Sequence, residues 1–525
     1  MKGHDKELPL LALASEELGE LTEAEQKLIE AVASGSVADY GTDEDIGTNP
    51  ANRTDWPSAR RVDVRCIVWL CSDRRASAMV TPKGIAVAAA CINGELDLSY
   101  ITVPFPLYFA WCAFPDVIKL YDAEILGLYL LGSHVNGLLA DRLRTRGDIA
   151  LCSEFSCRGE VSLLDATVGG SLNCDGGTIS NPNGIALLAE RIGVDGNLTL
   201  RNGFVAEGEV RLLGATVRGD LSCVGGAVLN PQKPSLSLDG MNIGGNLFLS
   251  DGFTCRGTIS LAGSAVTRSF VWRCLKEPEE AQWHLQSATV GTLVDDRASW
   301  PQKGRLFLDG FVYQNIGSEA LLDVGSRIEW LQLQSRKRFL AQPYEHLASV
   351  LRRTGYAEEA TSVLIAKNRE RARLTRPLAA DWWWYRVFGR IVEYGYRPWR
   401  AFVGSVVIIL LGTMLFGAGY RSNLMAPAKE SAYARNGDSA GRQLAENYQP
   451  FSPFIYSLET FVPLIKLGQA DYWQPNANAG SRKTIGQVFL PKSGELLRWY
   501  LWFHIVLGWL LTTFWVGGLT GLVKT

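Results

Sequence analysis

Ionisable groups inside apolar runs are where this sequence could do chemistry. A charge at membrane depth is costly and is kept where it serves a path for ions or protons. One such run covers 451–467, FSPFIYSLETFVPLIKL, where Ser457, Glu459 and Thr460 are followed by Lys466 and then Gly468. The run is too short to cross a bilayer and holds two charges, so it reads as a re-entrant or interfacial half-helix. A lysine at the narrowest point of a path would oppose cations and favour anions. The alternative is an i, i+7 pair of Glu459 and Lys466 at an outer interface, with nothing flowing. His504, near the start of the last apolar run, is the other intramembrane candidate; a structural role close to water competes with a functional one.

Other chemistries lack their residue patterns. All ten cysteines lie between Cys66 and Cys274, and pairs such as Cys66/Cys71 and Cys152/Cys157 match neither a C-x-x-C redox motif nor zinc spacing. They read as reduced, buried thiols of a cytosolic compartment. Cys174 and Cys223 fall at one repeat position, two coils apart, too far for a disulfide. The five histidines, His4, His134, His284, His346 and His504, form no ligand pair. The sequence has no G-x-G-x-x-G between strand and helix, no G-x-S-x-G and no H-E-x-x-H. Gly176-Gly177 and Gly225-Gly226 read as corner glycines, because no helix begins after them. No cofactor and no metal is implied.

The elements that would position the half-helix are two apolar spans, 401–420 and 499–523, each free of formal charge and long enough to cross a bilayer. The stretch 336–400 is strongly basic, which places the preceding chain in the cytoplasm by the positive-inside rule. No apolar signal core opens the sequence, so the expected location is the inner membrane with both termini cytoplasmic. Residues 381–400, with DWWWYR and YGYRPWR, suit a helix lying in the inner interface. Membrane lipid is thus one partner. A net charge of −2 gives no pull toward nucleic acid.

Most of the remaining chain is a repeat. Stretches starting at Gly147, Gly196 and Gly245 read GDIALCSEFSCRGEVSLLDATVGGSLNC, GNLTLRNGFVAEGEVRLLGATVRGDLSC and GNLFLSDGFTCRGTISLAGSAVTRSFVW. The spacing is 49 both times, aligning Phe155, Phe204 and Phe253, and also Gly159, Gly208 and Gly257. Period-two alternation (Ile149/Leu151, Val161/Leu163, Leu198/Leu200) marks short strands bounded by glycine. They are too short to stand alone. A right-handed parallel β-solenoid, pentapeptide-repeat-like with longer coils, lets each coil pair with the next. Two coils of about 24 residues would make one unit. Weaker copies from Gly94 to Ile328-Glu-Trp-Leu-Gln-Leu extend the array over about 84–335, near ten coils.

Four segments follow: 1–57, a helical and acidic start with a linker over 39–55; 58–335, the solenoid with an N-terminal cap; 336–380, a helical hairpin neck; and 381–525, the membrane part. Thr22 and Glu25 form a capping-box pattern in the first. The neck, YEHLASVLRRTGYAEEA, resembles one tetratricopeptide-type hairpin, but a single copy reads as a cap rather than a peptide-binding array.

The order span, half-helix, span, with Ser457-Leu-Glu459-Thr460 in the half-helix, resembles the pore module of two-span potassium channels over about 125 residues. Their pore helix often carries S-V-E-T before a T-V-G-Y-G filter. Here the filter position reads PLIKLGQ, so a potassium-selective carbonyl ring is not implied. Over nearly the whole chain, GELDLSYITVPFPL, GEVRLLGATVRGDLSC, YEHLASVLRRTGYAEEA and YGYRPWRA resemble a bacterial membrane-associated β-solenoid family often labelled "membrane-associated oxidoreductase". Three functions stay open. One is a channel-like homo-oligomer driven by a sensing rod. Another is a tethered scaffold for cytoplasmic protein partners. The third, implied by the family label alone, is an oxidoreductase.

Overall fold

The computed structural model describes residues 9–41, 47–317, 323–334, 339–374, 389, 393–397, 399–429, 432, 448–480, 484–485, 488–489 and 491–519. They fall into two compact units, Met1–Ala360 and Thr361–Thr525.

The first unit is a parallel β-solenoid. One column of buried side chains passes from Ile85 through Leu128, Leu172, Leu221 and Phe270 to Ile316, each paired in parallel with the equivalent residue of the next coil. The column steps through ten turns, and at about 4.8 Å per rung it is roughly 50 Å long. Successive positions Ile149, Leu172, Leu198, Leu221 and Leu247 show that coils of 23 and 26 residues alternate. The 49-residue period is therefore an unequal pair, not two coils of about 24. The extra residues form bulges between Ser180 and Ile185 and between Leu229 and Pro234. A second column explains why the period is two coils. Registers place Phe155, Gly177, Phe204, Gly226 and Phe253 in line, so large and absent side chains alternate. Each phenyl ring is buried over a residue that leaves it room.

A polar ladder runs along one corner. Asp148 accepts from the Ser171 N–H, Ser171 from Asn197, Asn197 from Asp220, Asp220 from Asn246 and Asn246 from Ser269, at 2.6–3.1 Å. Each side chain satisfies a backbone donor that the corner removes from the sheet. The preceding residues Gly170, Gly196, Gly219 and Gly245 have to be glycine, since a Cβ there would collide with the ladder side chain one coil back.

Both ends are closed. Helices α1 (Pro9–Leu18) and α2 (Glu23–Ser34) precede the rod, and Thr22 and Glu25 form the reciprocal capping box of α2. The solenoid begins earlier than 84. Ala38–Asp39 pairs with Val87–Ala88, and Arg61–Asp63 with Cys91–Asn93, so the stretch read as a linker starts with a strand. It also holds a 3-10 helix at Pro50–Asp55. Helix α3 (Val64–Ser72) packs on the strands Leu96–Asp97 and Thr102–Val103 as the cap, and α4 (Arg74–Met79) follows.

At the far end the expectation of a last strand at 328–333 is overturned: Val324–Leu331 is helix α5. Asp323 caps it by accepting from Gly325 and Ser326, which commits the chain to a helix before the alternating residues begin. Arg327 of α5 is buried and donates both guanidinium nitrogens to buried Asp295, at 2.9 and 2.5 Å. Helix α6 (Gln342–Arg353) then covers the edge of the last strand, Val312–Ile316. Gln342 accepts from Gly310, His346 Nε2 lies 3.0 Å from the Tyr313 N–H, and Arg353 donates to Gln314. An otherwise open sheet edge is thereby satisfied.

Helix α7 (Ala357–Leu374) carries the boundary between the units. The second unit contains α8 (Trp399–Arg421), α9 (Pro453–Phe461), the short α10 (Gln469–Tyr472) and α11 (Ser493–Leu519). Strands Met425–Pro427 and Trp473–Pro475 pair antiparallel across the ends of this segment. Helices α8 and α11 are each long and apolar enough to cross a membrane, and only 17% and 22% of their most apolar stretches is buried. That exposure separates them from core helices of a water-soluble domain. Helix α11 starts six residues before the apolar run, and Arg498, in its second turn, donates to the Pro475 carbonyl at 3.0 Å. The positions 520–523 of the expected span lie outside the described residues, as do most of 381–400 and the neck ends 335–338 and 375–380.

Candidate functional site

Helices α8, α9 and α11 pack against one another, and of the sequence-predicted residues Ser457 and His504 lie at their junction. Helix α9 is bounded by proline at both ends. Pro453 occupies its first turn, and Pro463 forces Val462 into an extended conformation, so the helix stops at Phe461. The half-helix read over 451–467 is therefore nine residues of helix, followed by loop. It runs antiparallel to α8: Pro453 lies beside Gly417, Ser457 beside Gly412, and Phe461 clusters with Ala401, Ile409 and Leu511. Two glycines make this approach possible. A Cβ on Gly412 would strike Ser457 Oγ and the His504 ring, and one on Gly508 would strike the Phe461 carbonyl.

Ser457 and His504 are brought together, both fully buried. Ser457 Oγ donates to the Ile409 carbonyl at 2.8 Å and lies 3.3 Å from His504 Nε2, which is also 3.1 Å from the Ser457 carbonyl. The other ring nitrogen lies 3.3 Å from the Tyr500 hydroxyl. Phe416 and Phe461 flank the imidazole, at ring-centre distances of 5.7 and 5.1 Å. A serine beside a histidine invites a nucleophile–base reading. Here the hydroxyl proton is directed at a backbone carbonyl, and the neighbouring cavity of about 260 Å³ is lined by Phe402, Ile409, Leu458, Phe461 and Trp515, not by Ser457 or His504. The pair is a latch joining three helices. His504 does not reach water near the helix end, as the sequence allowed; it is enclosed.

Glu459 does not pair with Lys466. Its carboxylate accepts the N–H groups of Gly468, Gln469 and Ala470 at 3.0, 2.6 and 3.1 Å, closing the loop after α9 onto the helix. Gly468 starts α10 with φ of 83°, a left-handed conformation that suits glycine. Thr460 bonds back to the Tyr456 carbonyl within its own helix. Lys466 is exposed, between the exposed side chains of Ile465 and Leu467, and Leu464 is 84% exposed.

Sequence reasoning missed Gln469, Gly412 and Gly508. Gln469 is buried and bridges the Ser452 N–H and the Pro450 carbonyl, fixing the start of α9. Its signal was weak, a lone amide next to glycine; the two glycines interrupt apolar runs and were readable as close approaches.

Burial of the thiols is as expected except at one position. Nine cysteines are buried and Cys274 is exposed. Burial pushes Cys66, Cys71, Cys112 and Cys157 up to about 12, so they stay protonated and unreactive. Among the described residues no three His, Cys, Asp or Glu side chains gather as a metal site. No protein-family model, curated protein or solved structure matches the chain.

Proposed function

We propose that this chain is an inner-membrane protein in which a cytoplasmic solenoid is coupled to a channel-like two-span module that works as a homo-oligomer. The observation that carries this reading is the path of the chain between the two membrane-capable helices. It descends as α9 from the level of Gly417 to that of Ile409 and returns through the Glu459-clamped loop to pair beside Met425. A segment that enters and leaves on one side of a bilayer, with its polar groups satisfied by neighbouring helices, is a re-entrant helix. The outward faces of α8 and α11 (Val406, Leu410, Trp502, Val506, Trp509) are exposed and suit lipid or further copies.

Glu459 is engaged by three backbone donors and not by Lys466, which lies in the exposed loop. A ring of such lysines favours anions over cations. The test is conductance of the full chain in planar bilayers under a potassium chloride gradient, together with its subunit number in nanodiscs. An anion-selective reversal potential that shifts toward cations in Lys466→Glu supports the reading. A monomeric, silent protein overturns it.

A second reading, a tethered scaffold, is favoured by ordered ion pairs along the outside of the rod, such as Asp122–Arg142, Asp165–Arg191 and Asp175–Arg201. Pairs of this kind on a repeating surface offer a fixed charge pattern to protein partners. It predicts partners that are lost when those residues are changed while the membrane helices are kept.

A further inference from the structure

The segment just before α8 contains a charge cluster outside the three-helix junction. Glu393 has a side chain only 9% exposed, and three guanidinium groups converge on it: Arg369 of α7 at 3.4 Å, Arg397 at 3.4 Å, and Arg400 in closer contact. The arginine side chains are themselves 61%, 45% and 43% exposed. Among the described residues Glu393 is the one carboxylate that pairs with these three guanidiniums, so the cluster keeps a surplus of about two positive charges there. Each planar fork has five donors, and Glu393 engages only part of them. Glu393 and Tyr394 hold φ values of 46° and 60°, a left-handed pair that bends the chain so that Arg397 and Arg400 fold back over the carboxylate. The exposed indole of Trp399 opens α8 between the two arginines. Glu393–Gly395 also contacts α11, so the cluster sits at the end of the bundle, where one membrane-capable helix starts and the other ends.

Surplus guanidiniums beside an interfacial tryptophan, at the level where apolar helix begins, match the chemistry of a phosphodiester at a membrane surface. We infer that Arg369, Arg397 and Arg400 form a binding site for the headgroup of an anionic phospholipid, with Glu393 as a positioning residue that holds the guanidiniums together. The carboxylate offsets their mutual repulsion, and the phosphate engages the donors that face outward. The inference needs α8 to lie in a membrane but does not depend on conduction.

The test uses the full chain in detergent micelles, with bound lipid counted by native mass spectrometry after addition of phosphatidylglycerol or phosphatidylcholine of equal chain length. Wild type is expected to retain phosphatidylglycerol over phosphatidylcholine by about an order of magnitude, in line with two surplus charges near a lipid surface. In Arg397→Gln/Arg400→Gln the preference falls to near one, and in Glu393→Gln, which releases the three guanidiniums from one another, it drops several-fold. Arg369→Gln, changed at the most exposed of the three, serves if the double variant fails to fold, and its preference drops several-fold. Equal retention of the two lipids by wild type overturns the inference, as does a preference untouched by either arginine variant. Competition by millimolar inorganic phosphate as strong as that by phosphatidylglycerol also overturns it, since the site would then recognise a free anion.

Discussion

In the solenoid, Leu198 lies between Leu172 and Leu221, and its backbone is bonded to coils that repeat its own pattern. In the helical unit, Ser457 meets Ile409 and His504, and nothing elsewhere in the described residues repeats that contact. The first region gains its stability from many equivalent contacts between neighbouring coils, as stacked repeats do. The second is specified by a handful of unequal ones: two glycine notches, a buried serine–histidine link and one carboxylate clamp. A change should therefore be tolerated inside the rod and felt where contacts are made once. The ends of the rod belong to the second kind, although they sit on the first.

The largest effect tests that boundary. Arg327→Ala leaves buried Asp295 without its bidentate partner, at a cost of about 3–5 kcal/mol. Denaturant unfolding followed by amide exchange over the last coils should show this loss, concentrated in Thr289–Asp295 and Val312–Ile316. A shift below about 1 kcal/mol, within the range of exposed pairs, would show that the cap is not held by this contact.

A smaller effect should separate two glycines of the helical unit. Gly508→Ala places a methyl group against the Phe461 carbonyl, which belongs to backbone and cannot swing away. The cost is about 1–3 kcal/mol, as for overpacked cores. Gly404→Ala, in α8, meets no atom within 4 Å and gains helix propensity. Thermal unfolding in nanodiscs should lower the melting temperature for the first and leave or raise it for the second. Equal behaviour of the two would mean that α9 is not seated in the notch.

Glu459→Gln sits lower on the scale. The amide keeps one acceptor oxygen where the carboxylate served three N–H groups, so about 1.5 kcal/mol of local stability is lost. Amide exchange at Gly468, Gln469 and Ala470 should speed up about ten-fold, with α8 and α11 unchanged. Unaltered exchange would remove Glu459 from its place as the clamp.

The same contrast explains what could be read from the residues. Parallel pairing, the 49-residue period and the two membrane-capable helices were legible because each leaves a pattern longer than any single contact. The alternating lengths of the coils were not, since a period reports the pair and not its halves. The segment 328–333 misled because Ile328, Trp330 and Leu331 satisfy a helical face as well as a strand, and the decision lay in Asp323, five residues earlier. In the candidate site, Ser457, Glu459 and His504 could be chosen from their setting. Their partners could not: Glu459 has Lys466 at a plausible spacing, yet the loop turns its own backbone donors toward the carboxylate. The polar ladder was hidden for another reason. Asp148, Ser171, Asn197 and Asp220 are of three residue types that share the ability to accept a hydrogen bond.

The smallest expected effect probes the tolerance of the rod directly. In the 23-residue coil, Glu207 and Glu209 are joined through Gly208, whereas in the neighbouring 26-residue coil the paired positions Ser180 and Ile185 are separated by Asn181, Pro182, Asn183 and Gly184. Deleting Asn181, Pro182 and Asn183 leaves Ser180-Gly184-Ile185, the same spacing with glycine in the same place. The backbone of the next coil keeps its partners at Thr178–Ser180 and at Leu187–Leu188, so the registers on either side are unchanged. The residues removed lie in the bulge, with Pro182 exposed and Asn181 half-buried and donating to the Ile185 carbonyl, so the deletion costs one side-chain hydrogen bond, about 1 kcal/mol. The deletion should leave the melting temperature within a few degrees and the exchange pattern of Val205–Arg211 intact. Removing three residues from α9, of similar size, should by contrast abolish its packing. If the shortened rod unfolds instead, the long coils are required for the array, and its apparent redundancy fails at the bulges.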